Sequence, residues 1–285
     1  MIASQAIRRT SQAPTTKADK IPCILQPREH AVLDSGAYCF LDVERTSGPT
    51  AESGLKGRIQ DLLKRYGRLY YSLLLLLGPV WGCYRTRRKR RELLAKHDHK
   101  SVILDLGSGP QRCMSREDII NLDLFPFDEV DIVADAGDLP VESDSVDLII
   151  NVAMLEHAVD PANIVGQMHR VTKRGGDVFC FVPFMQPFHA APHDYQRWTM
   201  PGAKALFSQF RDVEVVVAAG PTSGLLWIVQ EWLATALSFG SRVVHDALLL
   251  MLMVLTFPVK FLDELLCAFP GSQNVASGFF VFARK

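Results

Sequence analysis

The sequence SVILDLGSGP, residues 101–110, decides the fold of this chain. An apolar run from Val102 to Leu106 leads directly into a loop that begins Gly107-Ser108-Gly109. A buried strand that ends in a glycine-rich turn brings backbone amides close to a nucleotide-like ligand at the carboxyl end of a sheet. A dinucleotide fingerprint would need glycine at position 112, where Arg112 stands, and no Gly-Lys-Ser/Thr follows for a phosphate-binding loop. The turn therefore predicts a ligand without phosphates.

A second strand ends in another carboxylate. Residues 119–123 form a short apolar run whose last residue, Asp123, lies 18 positions after Asp105. A carboxylate that ends the second strand of a βαβ unit accepts hydrogen bonds from the hydroxyls of a ribose. Asp123 by itself would also fit a solvated strand end. Its position after the glycine turn favours nucleoside binding.

Further apolar runs predict the rest of the sheet. They alternate with connecting segments, which is typical of a mostly parallel α/β sheet. These runs cover residues 131–135, 146–151, 178–182, 213–219 and 278–284.

Five motifs occur in a fixed order: VILDLGSGP, INLDLF, DIVADAGDLPVESDSVDLII, MLEH with DP, and RGGDVFCFVP. In these motifs the chain resembles the class I S-adenosylmethionine-dependent methyltransferases, in particular the type-11 group, from about Val102 to Phe210 and again at Gly278–Arg284. The segment PFMQPFHAAPHDYQRWT, residues 183–199, resembles a subgroup whose members are mostly uncharacterised. The resemblance implies a Rossmann-like, seven-stranded sheet that is mostly parallel, with an antiparallel last strand, and S-adenosylmethionine as cofactor.

The resemblance also implies a cofactor site at the carboxyl ends of the first four strands. Asp105 would support the glycine loop, whose residues Gly107, Ser108 and Gly109 would approach the methionine part of the cofactor. Asp123 would hold the ribose. The remaining contacts, to the adenine and near the methyl group, would come from Leu124, Asp135, Ala136 and Asn151.

Two features depart from the family pattern. Pro110 stands where family members often have a third glycine. Only residues 107–118 link the first two strands, near the roughly dozen-residue minimum for a parallel crossover, so the first helix is predicted to be short or nearly absent. Asp135 also fits an alternative role as the cap of a turn.

The loop after the fifth strand carries the candidate catalytic residues. Methyl transfer from a sulfonium is an in-line displacement, and a base assists when the acceptor is a hydroxyl or a protonated amine. His193 is the first candidate for this base, oriented by Asp194 or a more distant carboxylate, and His189 is the second. Arg197 is predicted to bind an anionic acceptor. The aromatic residues predicted to line the acceptor pocket are Tyr195 and Trp198.

The same loop fits a purely structural role. In that alternative, the sequence His-Asp-Tyr-x-Arg at residues 193–197 fixes its own backbone through hydrogen bonds and an internal ion pair. Glu156 and His157, just after the fourth strand, fit the start of a helix, and the structural role is favoured for Glu156.

A metal site built from His189, His193 and Asp194 is the weaker interpretation. Pro187 and Pro192 make a regular helix unfavourable there, so a spacing of four residues does not align the two histidines. We therefore predict no metal.

Charge is balanced over the 285 residues but unevenly distributed. Residues 1–100 contain 19 Lys and Arg against 9 Asp and Glu, and residues 101–285 contain 12 against 22. A basic arm on an acidic body indicates an anionic partner, either a membrane or a nucleic acid. Aromatic residues do not alternate with the arginines at 85–91, so no nucleic acid is expected.

The pattern along the chain divides it into five parts. Residues 1–55 form a disordered or small N-terminal extension, whose first 20 residues are predicted to be disordered, and residues 56–100 form an apolar and basic helical segment. The methyltransferase core covers residues 101–220, a hydrophobic helical insertion or lid covers residues 221–277, and the final strand covers residues 278–285. Six cysteines, without a CxxC pair, are predicted to be reduced thiols in a cytosolic compartment.

Two apolar segments favour membrane contact. Residues 69–84 span 16 residues, short of the roughly 20 needed to cross a bilayer, and a basic cluster follows them. The insertion contains a second run of 13 uncharged residues, 247–259, flanked by Asp246, Lys260 and Asp263. A hairpin that enters one leaflet fits this pattern, whereas packing on the core is the alternative for both segments.

These observations lead to one expected function and two alternatives. The expectation is a cytoplasmic methyltransferase, peripheral to the inner face of the membrane, that methylates oxygen or nitrogen of a lipid-linked or saccharide-like acceptor. The first alternative is a quinone or other small-molecule methyltransferase with a structural cap. The second is a non-catalytic, membrane-associated binding protein on a methyltransferase fold.

Overall fold

The computed structural model describes residues 16–41, 77–78, 80–110, 116–189 and 193–285. Within this part of the chain, nine strands form one sheet in the order β1-β2-β5-β4-β3-β6-β7-β9-β8. The strands are β1 (Ala31–Val32), β2 (Tyr38–Cys39), β3 (Ile103–Leu106), β4 (Ile119–Asp123), β5 (Ile132–Val133), β6 (Val146–Val152), β7 (Thr172–Pro183), β8 (Arg211–Ala219) and β9 (Gly278–Arg284).

The Rossmann-like α/β fold is confirmed, but the sheet is larger than predicted. Strands β3 to β9 are the seven expected strands, and the hairpin β1–β2 adds two more at one edge. Strand β2 pairs in parallel with β5, with Tyr38 opposite Ile132. The added strands are only two residues long, so they carry no alternation from which a strand could be recognised.

The centre of the sheet is parallel and buried. Strand β3 lies between β4 and β6, and every residue of β3 and β4 is buried. The chain continues from β3 to β4 on one side and places β6 on the other side. This reversal of strand order is the topological switch point at which open α/β sheets bind ligands.

The other edge of the sheet is antiparallel, as predicted. Strand β9 pairs antiparallel with both β7 and β8. Aromatic side chains stabilise this pairing, since the ring of Phe179 lies 4.8 Å from that of Phe280 and 5.3 Å from that of Phe282.

Seven α-helices accompany the sheet in the described residues. Helix α3 is the most amphipathic core helix: it buries Ile164, Val165, Met168 and Val171 along one face, and Asp160 caps its first turn. The helices are α1 (Lys17–Ile24), α2 (Tyr84–Lys96), α3 (Pro161–Val171), α4 (Met200–Leu206), α5 (Pro221–Leu237), α6 (Arg242–Thr256) and α7 (Asp263–Leu266). A 3-10 helix at Phe257–Leu262 joins α6 to α7.

Helix α1 corrects the expectation of disorder for residues 16–20. Thr16 caps the helix by accepting a hydrogen bond from the amide of Asp19. Ile21 and Ile24 lie in the main core, and the ammonium group of Lys20 donates to the carbonyl of Ser101 over 2.8 Å. These two apolar residues pack the helix against the core, but two are too few to form a recognisable helical pattern in a polar sequence. Residues 1–15 lie outside the described part.

The insertion between β8 and β9 is tied to the segment before α2. Asp263 is buried and accepts hydrogen bonds from the amides of Thr222 and Ser223, at the start of α5. Glu264 accepts from the Trp81 indole, and the ammonium group of Lys260 donates to the carbonyl of Gly78. Predicted helical residues 56–76 and 79 lie outside the described part.

A disulfide reinforces this attachment and contradicts the expectation of reduced thiols. Cys83 is bonded to Cys267 across 184 positions of sequence. Scattered cysteines without a paired motif do not reveal which two meet in the fold, so the bond could not be recognised from spacing. Cys23, Cys39 and Cys180 are free thiols.

The insertion contains one long apolar helical stretch. Residues Arg242–Leu266 are long and apolar enough to cross a membrane by length and composition, and only 11% of the most apolar window is buried. Core helices of soluble proteins can pass the same test of length and composition, although they are mostly buried.

Candidate cofactor and acceptor sites

The glycine turn lies at the switch point, directly after β3. The amides of Gly107 and Ser108 both donate to the carbonyl of Leu122 at the end of β4. Gly107 has a φ of +75°, and a Cβ atom there would lie 2.5 Å from the Met154 side chain. Only glycine allows both the backbone conformation and this close approach.

The turn also contains an unused polar group. The Ser108 hydroxyl oxygen is buried and makes no hydrogen bond to any described residue. Buried hydroxyls are normally hydrogen-bonded, so this oxygen fits a ligand contact. Residues 111–115, where the short first helix was predicted, lie outside the described part.

Asp105 lies beneath the turn as a buried carboxyl group. It is 2% exposed, and burial, followed by the charge of Asp123, raises its pKa from 3.8 to about 7. A cationic ligand in the crevice would favour its charged form. This position fits an ammonium or sulfonium group better than a phosphate.

Asp123 connects the turn to β4. Its carboxylate accepts hydrogen bonds from the amides of Gly109, over 2.8 Å, and Phe125, over 3.0 Å. Burial raises the pKa of Asp123, and the backbone amides oppose that rise. Each carboxylate oxygen retains a lone pair for a further donor such as a ribose hydroxyl.

Asn151 is buried inside the protein, whereas the resemblance implied a position beside the methyl group of the cofactor. It is fully buried, and its amide group donates to the carbonyl of Leu106 over 2.7 Å. Its carbonyl oxygen accepts from the Cys180 thiol over 3.2 Å. Both ends of the side chain are therefore used inside the protein, and Asn151 supports the end of β3 from the neighbouring strand.

The predicted adenine side of the crevice is open. Leu124 is an exposed apolar side chain directly after β4. Asp135 is exposed and accepts from the amide of Gly137, as the cap of a 3-10 helix that begins at Ala136. This capping contact is the alternative weighed for Asp135, and its second oxygen still faces solvent.

The loop after β7, residues 184–198 (the acceptor loop, of which residues 190–192 lie outside the described part), is fixed by an internal ion pair. Asp194 accepts hydrogen bonds from both terminal nitrogens of Arg197 and from the amide of His189. Arg197 also donates to the carbonyl of Pro187 over 2.9 Å. These contacts agree with the alternative in which the loop fixes its own backbone. They use the guanidinium of Arg197 and the carboxylate of Asp194, so Asp194 does not orient His193.

His193 is exposed, and its ring lies 5.6 Å from that of Tyr195. Its carbonyl, rather than its ring, reaches inward, where it accepts a hydrogen bond from the Nδ1 atom of His157 over 2.5 Å. Tyr195 is half exposed, whereas Trp198 is buried in the main core. Trp198 therefore supports the loop from below and does not line an open acceptor pocket.

The loop instead brings His189 to a buried carboxylate. Glu156 is fully buried, with its Oε1 atom 3.8 Å from Nε2 of His189 and 4.0 Å from Nε2 of His157. Burial acts to lower the pKa of His189, but Glu156 and the carbonyl of Pro187 raise it overall. Glu156 and His157 follow the carboxyl end of a core strand, and this pair of residue types was the sequence signal for the cluster.

Helix α5 covers this cluster. The ring of Trp227 stacks on that of His189 at 5.5 Å. Gly224 lies so close to the acceptor loop that a Cβ atom would be 3.2 Å from the Met185 side chain and 3.3 Å from the Met185 carbonyl. The insertion thus contacts the acceptor loop directly and excludes water from one side of it.

The strand order and the glycine turn at the switch point define the fold of class I S-adenosylmethionine-dependent methyltransferases. Residues 94–180 match the family model described as "Methyltransferase domain". This stretch therefore matches a methyltransferase domain, in agreement with the resemblance of its motifs. No curated protein matches the sequence.

Solved structures of similar fold come from several sources. A possible histamine N-methyltransferase from Thermotoga maritima is 15% identical, covering 54% of this chain and 83% of its own, with a TM-score of 0.41. Phosphoethanolamine N-methyltransferase 2 from Haemonchus contortus, in complex with S-adenosyl-L-methionine, is 15% identical over 70% of this chain and 52% of its own, with a TM-score of 0.41. The [4+2]-cyclase SpnF is 15% identical over 84% of this chain and 99% of its own, also at 0.41. At this similarity they carry no information on the acceptor.

Proposed function

We propose that this protein is an S-adenosylmethionine-dependent methyltransferase that acts on an oxygen or nitrogen atom of a lipid-linked or saccharide-like acceptor at a membrane surface. The observation that carries the proposal is the pair of buried carboxyl groups, Asp105 and Asp123, around a glycine turn at the switch point. When bound, the cofactor supplies a methyl group activated by a sulfonium.

The residues present fit this cofactor. The turn approaches a ligand closely because Gly107 has no side chain, and the Ser108 hydroxyl is left as an unused buried polar group. A positively charged methionine moiety near Asp105 would offset the free-energy cost of charging that carboxyl. The unused lone pairs of Asp123 suit the ribose, and the exposed side chain of Leu124 suits the adenine.

The acceptor is proposed to lie beside the contact between the acceptor loop and helix α5. The stacking of Trp227 on His189 removes water from this side, and in-line transfer needs a dry and fixed acceptor. His193 remains the proposed base because it is exposed at the loop and Arg197 holds the segment that carries it. Arg197 itself is proposed as a support of the loop.

The membrane part of the proposal is supported by the surface of the insertion. The turn between α5 and α6 exposes Phe239 to 93%, and Trp232 on α5 is exposed to 66%. Further exposed apolar residues continue this face: Leu225, Leu237, Val243, Met251, Val254, Leu255, Leu262 and Leu265. A contiguous face of this kind on a two-helix insertion is typical of a segment that enters one leaflet.

Several charged residues of the insertion are buried or paired, whereas Arg242 and Glu264 are exposed beside Val243 and Leu265. Lys260 and Asp263 are fully buried against the protein. His245 on α6 pairs with Glu231 on α5 over 3.3 Å, between the two helices. The flanking charges therefore oppose a full crossing but are compatible with shallow insertion.

Calorimetric titration with S-adenosylmethionine and S-adenosylhomocysteine tests the cofactor part. We expect binding to the wild-type protein and a loss of about tenfold to 100-fold in affinity for Asp123→Ala, because a charged hydrogen-bond partner contributes about 1.5–3 kcal/mol. Asp144→Asn is the control, since Asp144 pairs with Lys285 at the opposite end of β7. Absence of binding to the wild-type protein would refute the proposal.

A further inference from the structure

We propose that Glu156, His157 and His189 form a binding site for a divalent transition-metal ion such as Co²⁺, Mn²⁺ or Zn²⁺. One atom from each side chain lies within 4.8 Å of the other two. Two histidines and one carboxylate are a common ligand set for these ions, which leaves coordination positions open for a substrate.

The hydrogen bonds of the two histidines fix which nitrogen faces the centre. Nδ1 of His157 contacts the carbonyl of His193 over 2.5 Å, and Nδ1 of His189 contacts the carbonyl of Pro187 over 3.0 Å. A carbonyl only accepts hydrogen bonds, so Nδ1 carries the proton in His157. In His189 the contact of Nδ1 with the carbonyl is shorter than its 3.3 Å contact with the Arg197 guanidinium, which favours the same form. In the neutral rings Nε2 is then the free electron-pair donor, and both Nε2 atoms face Glu156. Metal-binding histidines are oriented by second hydrogen bonds of this kind.

The carboxylate of Glu156 provides an independent observation. It is fully buried, and neither of its oxygens makes a hydrogen bond to a described residue. The distances to the two Nε2 atoms, 3.8 and 4.0 Å, are longer than hydrogen bonds. A buried carboxylate without hydrogen bonds is unfavourable, and a cation between it and the imidazoles removes this cost.

The distances fit a site that contracts when it binds an ion. Ligand atoms about 2.1 Å from an ion are separated by roughly 3.0–3.4 Å in octahedral or tetrahedral geometry. The three side chains would therefore need to approach by less than about 1 Å each. Helix α5 covers the site through Trp227, whose ring stacks on His189.

The position of the site gives the ion a role, which rests on the proposed function. Met154, two residues before Glu156, contacts the position of Gly107 in the glycine turn, so the ion would lie beside the cofactor crevice. Coordination would orient a hydroxyl of a saccharide-like acceptor and lower its pKa. In the transfer, the acceptor oxygen forms a bond to the methyl carbon as the carbon–sulfur bond breaks. The sulfur keeps that electron pair, and the hydroxyl proton passes to solvent, where the exposed His193 can take it up.

Titration of the full-length protein, stripped of metal with a chelator, with Co²⁺ tests the site through calorimetry and visible absorption. We expect one ion to bind per chain, with at least about 100-fold weaker binding to Glu156→Gln and to His189→Ala, since even indirect partners of a metal ligand change affinity by 10- to 100-fold. The matched control is His193→Ala in the same loop, which keeps the carbonyl that orients His157 and should bind Co²⁺ as the wild type does.

Two measurements keep the outcomes separate. Circular dichroism and S-adenosylmethionine binding of each variant show whether the fold and the crevice are intact. If the wild type and all variants bind S-adenosylmethionine but none binds Co²⁺, the metal site is wrong and the proposed function stands. Equal Co²⁺ affinity in wild type, Glu156→Gln and His189→Ala would also overturn it. If Co²⁺ binds as expected but S-adenosylmethionine does not, the site stands and its catalytic role fails.

Discussion

Replacing Asp105 with asparagine measures the free-energy cost of charging the carboxyl group beneath the glycine turn. Asp105 is 2% exposed, and burial, followed by the charge of Asp123, raises its pKa from 3.8 to about 7. One pKa unit corresponds to about 1.4 kcal/mol, so charging Asp105 in the folded protein costs about 4 kcal/mol more than in the unfolded chain. Asparagine is close to the same size and never becomes charged.

The raised pKa determines how stability depends on pH. Because the folded state binds this proton more tightly than the unfolded state, the carboxyl favours folding only while it is protonated. Its contribution is complete below pH 3.8 and is lost as the pH rises through about 7. About 1.5–2 kcal/mol is already lost at pH 5, which leaves a further loss of about 2.5 kcal/mol between pH 5 and pH 8.

Urea denaturation at pH 5 and pH 8 measures this difference. We expect the free energy of unfolding of the wild type to fall by about 2.5 kcal/mol more than that of Asp105→Asn over the interval, because only the wild type carries the titrating Asp105 carboxyl. Asp135→Asn is the control, because it keeps the buried carboxyl and should follow the wild type. Identical changes in the wild type and Asp105→Asn would refute the reasoning.

Two further predictions concern the glycine turn and the insertion. Gly107→Ala should lower the free energy of unfolding by about 3 kcal/mol, because the cost of a positive φ and that of a side-chain clash add. Gly36→Ala should cost only about 1 kcal/mol, since nothing lies near its Cβ position. Equal losses on urea denaturation would contradict the packing argument. The pair of substitutions Trp232→Glu and Phe239→Glu should reduce flotation with phosphatidylcholine–phosphatidylglycerol vesicles by at least about tenfold, since each buried aromatic contributes about 1.5–3 kcal/mol. Val32→Glu, on the edge hairpin, should float as the wild type does, and a wild type that fails to float would remove the membrane from the proposal.

Much of the sheet could be predicted because its strands are buried on both faces. Strands β3, β4 and β6 consist of apolar runs whose ends carry Asp105, Asp123 and Asn151. Each run is bounded by turn residues, so strand identity and order follow from local pattern. The hairpin β1–β2 could not be predicted in the same way, because two-residue strands depend on pairing with β5 rather than on their own composition.

The acceptor side was less predictable because its contacts join distant parts of the sequence. Asp194 and Arg197 are three positions apart, and the sequence predicts their ion pair as one of two roles for the loop. Glu156 meets His189 across 33 positions, and the parallel pairing of β6 with β7 brings the two residues together. The residue types therefore identify the loop from the sequence alone, whereas the contacts of each side chain can be known only from the fold.

The insertion links the proposed membrane contact to the proposed acceptor site. Strands β8 and β9 pair antiparallel and would need only a short turn, so residues 220–277 are not required to complete the sheet. Helix α5 nevertheless contacts the acceptor loop through Trp227, while Trp232, about one and a half turns further along the same helix, is exposed on the apolar face. A helix that reaches from the catalytic loop to a lipid surface within about 10 Å would hold the acceptor headgroup close to the site while its apolar chain stays in the membrane. The exposed apolar face is the feature that favours this proposal over a cap with only a structural role.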